Sequence, residues 1–135
     1  MPTVCCIITH LTLNIKTHLK NSSSYRVSGM LRIIGPDEPF LGPGRIELME
    51  RIAATGSINK AAKEMGMSYK KAWLMVQSLN RQAETPLILT QTGGEQGGGA
   101  QLSETAQALI QTYRELRQRF EAFLQQETQN LLRGE

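Results

Sequence analysis

"GSINKAAKEMGMSYKKAW", Gly56 to Trp73, is the stretch that decides the fold. Gly56 is a natural stop for a helix before it, Ser57 a cap for the next, Gly66 a second stop and Ser68 a second cap. Between them "INKAAKEM" has room for about two turns, and Ala61 and Ala62 are small enough to let a neighbouring helix approach closely. Two helices separated by "GMS" read as a helix-turn-helix, whose short turn often contains glycine.

The segment after Ser68, "YKKAWLMVQSLNRQA", can be phased at about 100° per residue. Ala72, Met75, Val76, Leu79 and Ala83 then share one arc, while Lys70 and Gln77 lie nearly opposite. One face is core and the other is polar and basic. Trp73 sits beside the core arc and Leu74 outside it, so partial core packing and a role at a ligand surface both stay open for Trp73.

Upstream, "RIELMERIAAT" places Leu48, Met49 and Ile52 on one face with Ile46 and Ala53 at its edges, which predicts the first helix. "GPDEPFLGPG" before it, with three prolines and three glycines, is expected to break all regular structure. "YRVSGMLRII", from Tyr25, is rich in branched residues and reads as a strand. Residues 1–24 end in the turn-prone "KNSSS" and are expected to be a weakly ordered extension, although "LTLNIK" alternates as a strand does.

Downstream, Pro86 stops the helix and "LILTQT" alternates as a strand with Thr at its exposed positions, while "AQLS" is short enough to be its return. Between them, residues 93–99 hold five of the twelve glycines. No Lys-Ser or Lys-Thr follows Gly99 and the glycine spacing fits no dinucleotide fingerprint, so a nucleotide-cradling loop is not expected, while an oxyanion held by the glycine amides stays open. A hairpin with a glycine tip following the helix pair makes a winged helix-turn-helix. Thr92, Gly93, Gly94, Gln96, Gly97 and Gly98 would form the wing tip.

Ser103 caps the last helix and Glu104 suits its first turn. Leu102, Ala106, Leu109, Tyr113, Leu116, Phe120 and Phe123 follow one another by alternating steps of 4 and 3, which is a heptad seam. A narrow seam argues for pairing with another helix, most simply in a homodimer through Leu109, Tyr113, Leu116, Phe120 and Phe123. Packing of the whole seam on its own globule is the alternative.

At 135 residues the chain supports one compact domain with an appendage. Hydrophobic residues make up 40%, and no run approaches the ~20 apolar residues of a membrane span. The first residues lack the pattern of a signal peptide, so no membrane association and a cytoplasmic location are expected. Cys5, Cys6, His10 and His18 fit no zinc spacing, and no metal or other cofactor is expected. No nucleophile-base pair or carboxylate pair stands out, so an enzyme is not expected and no catalytic residue is assigned. The net charge of +3 is uneven: residues 43–83 carry seven basic against three acidic residues, and residues 84–135 four Arg against seven Glu. On charge alone, a polyanion partner and a merely solvated basic surface both suit the basic block.

"GSINKAAKEMGMSYKKAW" followed by "TGGEQGGGAQLS", with "PFLGPGRIELMERI" leading into the first helix, resembles the DNA-binding half of the ModE-type molybdate-responsive transcriptional regulators. The resemblance runs from about Tyr25 to Leu116; LysR-type regulators share the helix pair but not the glycine-rich wing. It implies a dimer on an inverted repeat of double-stranded DNA. Ser68, Tyr69, Lys70 and Lys71 match the start of the recognition helix, where phosphates and guanine edges are within reach. Ser57, Asn59 and Lys60 match the start of the supporting helix, which implies backbone contacts; Gln77 is added by the phase argument. Thr90 and Glu95 stand where such wings often carry basic residues. An oxyanion effector such as molybdate is compatible with the resemblance, but its usual binding domains follow the matched part and no site is assignable here.

The expectation is therefore a mainly α fold with a small β hairpin: a winged helix-turn-helix at residues 25–103, with an N-terminal strand, followed by a long dimerisation helix at residues 104–135. The competing expectation is a winged-helix interaction module that pairs with another protein through the C-terminal helix.

Overall fold

The computed structural model describes residues 14–92 and 99–133. Two compact units divide the chain: Met30–Arg117 form the first, and the described parts of Met1–Gly29 and Gln118–Glu135 form the second. This differs from a boundary at residue 25 or 104, because the final helix contributes to both units.

In the first unit, strands β1 (Ile33–Ile34) and β2 (Pro39–Leu41) precede helices α1 (Pro43–Thr55), α2 (Ile58–Glu64) and α3 (Tyr69–Gln82), which are followed by strands β3 (Ile88–Thr90) and β4 (Ala100–Leu102) and the start of helix α4 (Glu104–Arg133). The helix boundaries follow local chemistry. Pro43 takes the first turn of α1, where a missing N–H costs nothing, and Gly56 ends it in the left-handed region at φ 69°. Ser57 and Ser68 cap α2 and α3 through their side-chain oxygens, and Gly66, at φ 66°, turns the chain between them. Ser103 does the same for α4, accepting the Ala106 N–H at 3.2 Å.

Leu48, Met49 and Ile52 of α1 are fully buried with Ile46, against Ala61 and Ala62 of α2 and Ala72, Val76 and Leu79 of α3. Ala53 is exposed. Burying each Leu, Ile or Met side chain contributes roughly 1.5–3 kcal/mol, and the alanines let the helices approach. Met75 and Ala83 are half-buried at the edge of this core, and Ser78, outside the expected arc, is buried within it.

β3 and β4 pair antiparallel with Ile88 opposite Leu102 and Thr90 opposite Ala100. The Gln91 N–H donates to Gly99 O at 2.9 Å and the Ala100 N–H to Gly56 O at 2.9 Å, which ties the wing to the end of α1. Strict alternation would send Ile88 outward with Thr90 and Thr92, yet both Leu87 and Ile88 are buried. Their two N–H groups share one acceptor, Asn80 Oδ1, at 2.9 and 3.0 Å. Consecutive amides aimed at one atom break the pleat, and the expected alternation does not appear after them, since Leu89, Thr90, Gln91 and Thr92 are all exposed.

Two expectations upstream are corrected. The predicted strand from Tyr25 shrinks to Ile33–Ile34, and its partner Pro39–Leu41 lies inside the segment expected to break regular structure. The turn between them closes through the Gly35 N–H donating to Glu38 O at 2.9 Å, and Gln82 of α3 donates to Pro39 O at 2.9 Å. Tertiary contacts hold a hairpin too short to be visible as periodicity.

The heptad seam divides as well. Ala106, Ile110 and Tyr113 are buried in the first unit's own core, with Leu109 packed against it. Tyr113 has no exposed surface, and its hydroxyl donates to Leu31 O at 3.0 Å, so it is not an interface residue. Burial pushes its phenol above the ordinary range. Ile110 widens the seam to the broader stripe of a helix lying on its own globule.

In the second unit, residues 14–24 form two short 3-10 turns, Ile15–His18 and Ser22–Ser24, so the described end of "LTLNIK" is not a strand. The Val27 N–H donates to Thr128 Oγ1 at 2.8 Å, and Gly29 lies against Phe120, where an added Cβ would come within 3.1 Å of the ring. Phe120 is thus partly covered by its own chain, whereas Phe123 is 57% exposed.

Candidate nucleic-acid interface

α3 is locked by Ala72, Val76 and Leu79 in the core, which fixes what its other face offers. Lys70, Leu74, Gln77 and Arg81 are all exposed, and at about 100° per residue they fall within roughly 60° of arc. They form one outward stripe. Lys70 and Lys71 enter no ion pair among the described residues, which leaves two solvated cations beside the capped start of the helix.

Two grooves flank α3. The first, of about 470 Å³, joins Ser68, Lys70, Lys71 and Gln77 to Glu38, Arg45, Ser78 and Arg81. The second, of about 370 Å³, joins Ser57, Asn59, Tyr69 and Thr92 to Trp73 and Gln91. Eight of the predicted DNA-facing and wing residues therefore gather beside α3. Lys60 is exposed on the first turn of α2 but lines neither groove. Gly93, Gly94, Gln96, Gly97 and Gly98 lie outside the described residues, as does Glu95.

The caps constrain two of these residues. Ser57 Oγ accepts the Lys60 N–H at 3.2 Å and Ser68 Oγ the Lys71 N–H at 3.1 Å. Each hydroxyl keeps its proton to offer to an acceptor. Trp73 packs against the core, as one of its two readings expected, and it also lines the second groove. Its ring lies near-parallel to Tyr69, with centroids 6.4 Å apart at 16°, so half-exposed Tyr69 is braced from behind.

Sequence reasoning missed Glu38, Arg45 and Arg81. Arg45 Nη1 donates to Ser78 Oγ at 2.9 Å and Phe40 O at 3.3 Å, and burial lowers the pKa of its guanidinium. Arg81 donates through Nε and Nη2 to the Glu38 carboxylate at 2.8–3.2 Å. These bonds, then the Ser78 hydroxyl, hold Glu38 below the ordinary carboxylate range. The phase argument that found Gln77 reaches Arg81 one turn further. Glu38 and Arg45 carry no such signal, because a hairpin and another helix bring them in.

The surface so assembled is basic at one helix start, charged along one groove, polar and aromatic along the other, and continuous with a wing. Residues 44–107 match the bacterial regulatory helix-turn-helix protein, lysR family. The chain is also similar to the DNA-binding transcriptional dual regulator ModE of Escherichia coli strain K12, with 46% identity over 74 residues, 55% of this chain and 28% of that protein. It is similar to the molybdenum transport protein ModE of Azotobacter vinelandii, 38% identical over 91 residues, 67% of this chain and 34% of that protein. It is similar too to the molybdenum-pterin-binding protein MopA of Rhodobacter capsulatus, 49% identical over 72 residues, 53% of this chain and 27% of that protein. The match thus spans about a third or less of each relative's length. With three helices and a wing in the region of these matches, the chain carries a winged helix-turn-helix that is similar to the matched part of the ModE regulators.

Proposed function

We propose that the chain is a sequence-specific transcriptional regulator that binds an inverted repeat in double-stranded DNA as a homodimer, in the handling of molybdate or a related oxyanion. The observation that carries DNA binding is the first turn of α3, where exposed Tyr69, Lys70 and Lys71 project beside a core-locked Ala72. Phosphates are met by the two cations and the helix start, and base edges by the stripe running back to Gln77. The wing, with Thr92 at its described edge, approaches the backbone alongside. Dimerisation falls to the later part of α4, where Phe123 is exposed and Leu116 and Phe120 are part-exposed. The oxyanion link is carried over from the names of the relatives, and no residue here is assigned to it. No helix among the described residues is long and apolar enough to cross a membrane; a DNA partner makes the cytoplasm the place of action.

Footprinting tests this reading. The wild-type chain is expected to protect two half-sites about one or more helical turns apart, and Lys70→Ala to weaken protection about tenfold with an unchanged thermal melt. Equal binding to unrelated DNA would sink the specific-regulator reading. A monomer by light scattering at binding concentrations would instead favour pairing of α4 with a different protein.

A further inference from the structure

We infer that Arg81, braced by Glu38, reads a guanine edge at the far end of the α3 stripe. The inference rests on the DNA-binding reading and adds a specificity residue to it. Arg81 shares the exposed stripe with Lys70 and Gln77, eleven residues beyond Lys70, or about 16 Å along the axis. Its side chain is 63% exposed while that of Glu38 is 28% exposed, so the carboxylate sits behind the guanidinium.

The bonds to Glu38 run from Nε to Oε1 at 3.2 Å and from Nη2 to Oε1 and Oε2 at 2.8 and 3.0 Å. Nη1 makes no hydrogen bond to another described residue, so its two N–H donors are left to the solvent side of a largely exposed side chain. Those donors suit the O6 and N7 acceptors of guanine in the major groove. Glu38 itself is held in place: its carbonyl closes the turn from Gly35, and Gln82 ties the adjacent Pro39 to α3. The guanidinium is therefore pre-oriented before DNA arrives.

Charge decides between a base and a phosphate. Phosphate contacts draw their strength from net positive charge and counterion release, and a nearby carboxylate cancels that advantage. Base-edge reading depends on donor direction, which the carboxylate enforces. Glu38 is thus a positioning residue, and Arg81 is the residue it aims.

Selection of bound sequences from random DNA, run with wild type, Arg81→Ala, Glu38→Gln and Glu38→Asp, tests the inference, with salt titrations and melts alongside. Arg81→Ala is expected to lose preference for guanine at one symmetric position and about tenfold in affinity for the wild-type site, with the salt slope unchanged. Glu38→Gln is expected to blur the same position while strengthening binding to unrelated DNA, and Glu38→Asp to restore part of the preference. An unchanged consensus with a salt slope reduced by about one would show a phosphate contact and overturn the inference. An unchanged consensus and slope would reduce the pair to surface structure and overturn it too. A wild-type chain that selects no consensus would remove the DNA-binding reading and this inference with it; a wild-type consensus that Arg81→Ala leaves intact removes only the inference.

Discussion

The two flanks of α3 use different chemistry to frame one helix. On the hairpin side, Glu38, Arg45 and Arg81 form a charged network anchored on the Phe40 carbonyl of β2 and on Ser78. On the wing side no charged side chain lines the groove among the described residues; stacked Tyr69 and Trp73, the hydroxyls of Ser57, Thr90 and Thr92, and the amides of Asn59 and Gln91 do. The wing flank is instead fastened by Asn80, which accepts the N–H groups of Leu87 and Ile88 and donates to Ile88 O at 3.0 Å. A charged flank responds to salt and pH, whereas an amide-fastened flank responds to shape. One helix is therefore framed by two differently tunable edges.

Three changes break this contrast, in decreasing order of effect. Asn80→Ala strands two amides and a carbonyl in a largely apolar setting and is expected to cost about 3 kcal/mol, read as a lower thermal midpoint. Asn80→Asp keeps the acceptor and should cost less. If both variants melt as wild type does, the wing is not fastened through Asn80. Arg45→Met on the hairpin side removes bonds to Ser78 and Phe40 O, with an expected loss of about 1 kcal/mol, because Gln82 still donates to Ser78 at 3.2 Å. Chemical denaturation would measure it, and a loss as large as that of Asn80→Ala would erase the asymmetry.

The smallest effect is on pH dependence. Glu38 titrates below its ordinary value of 4.5 because Arg81 holds the charged form, so its contribution is full above that value and is lost as pH falls through the lower, folded value. Stability attributable to this pair should be flat from pH 7 to 5 and decline only in stronger acid, with Glu38→Gln removing that part of the decline. A difference between the two proteins that grows between pH 7 and 5 would contradict the assignment.

The helix starts were legible because a cap is a local event: Ser57, Ser68 and Ser103 each bond the amide three residues ahead whatever the rest of the chain does. The core face of α3 was legible for the same reason, since period fixes which residues share a side. Arg81 was within reach of that reasoning and was missed only because the stripe was followed as far as Gln77. Glu38 was not, since Pro39–Leu41 becomes a strand only when Ile33–Ile34 lies beside it. Tyr113 misled for a subtler reason. Steps of 4 and 3 describe a helix facing any apolar surface, whether a partner or its own globule, and the buried Ile110 that separates the two readings stands outside the seam.

The sequence alone determined the three helices of the winged helix-turn-helix, their order and the outward placement of Tyr69, Lys70 and Lys71, because capping and helical period act within a few residues. Only tertiary structure decided that Arg81 is held by a carboxylate 43 residues away, that Asn80 fastens the wing, and that Tyr113 belongs to the interior. Those outcomes depend on which surfaces are left to be covered once the helices have packed, and that information is spread over the whole chain.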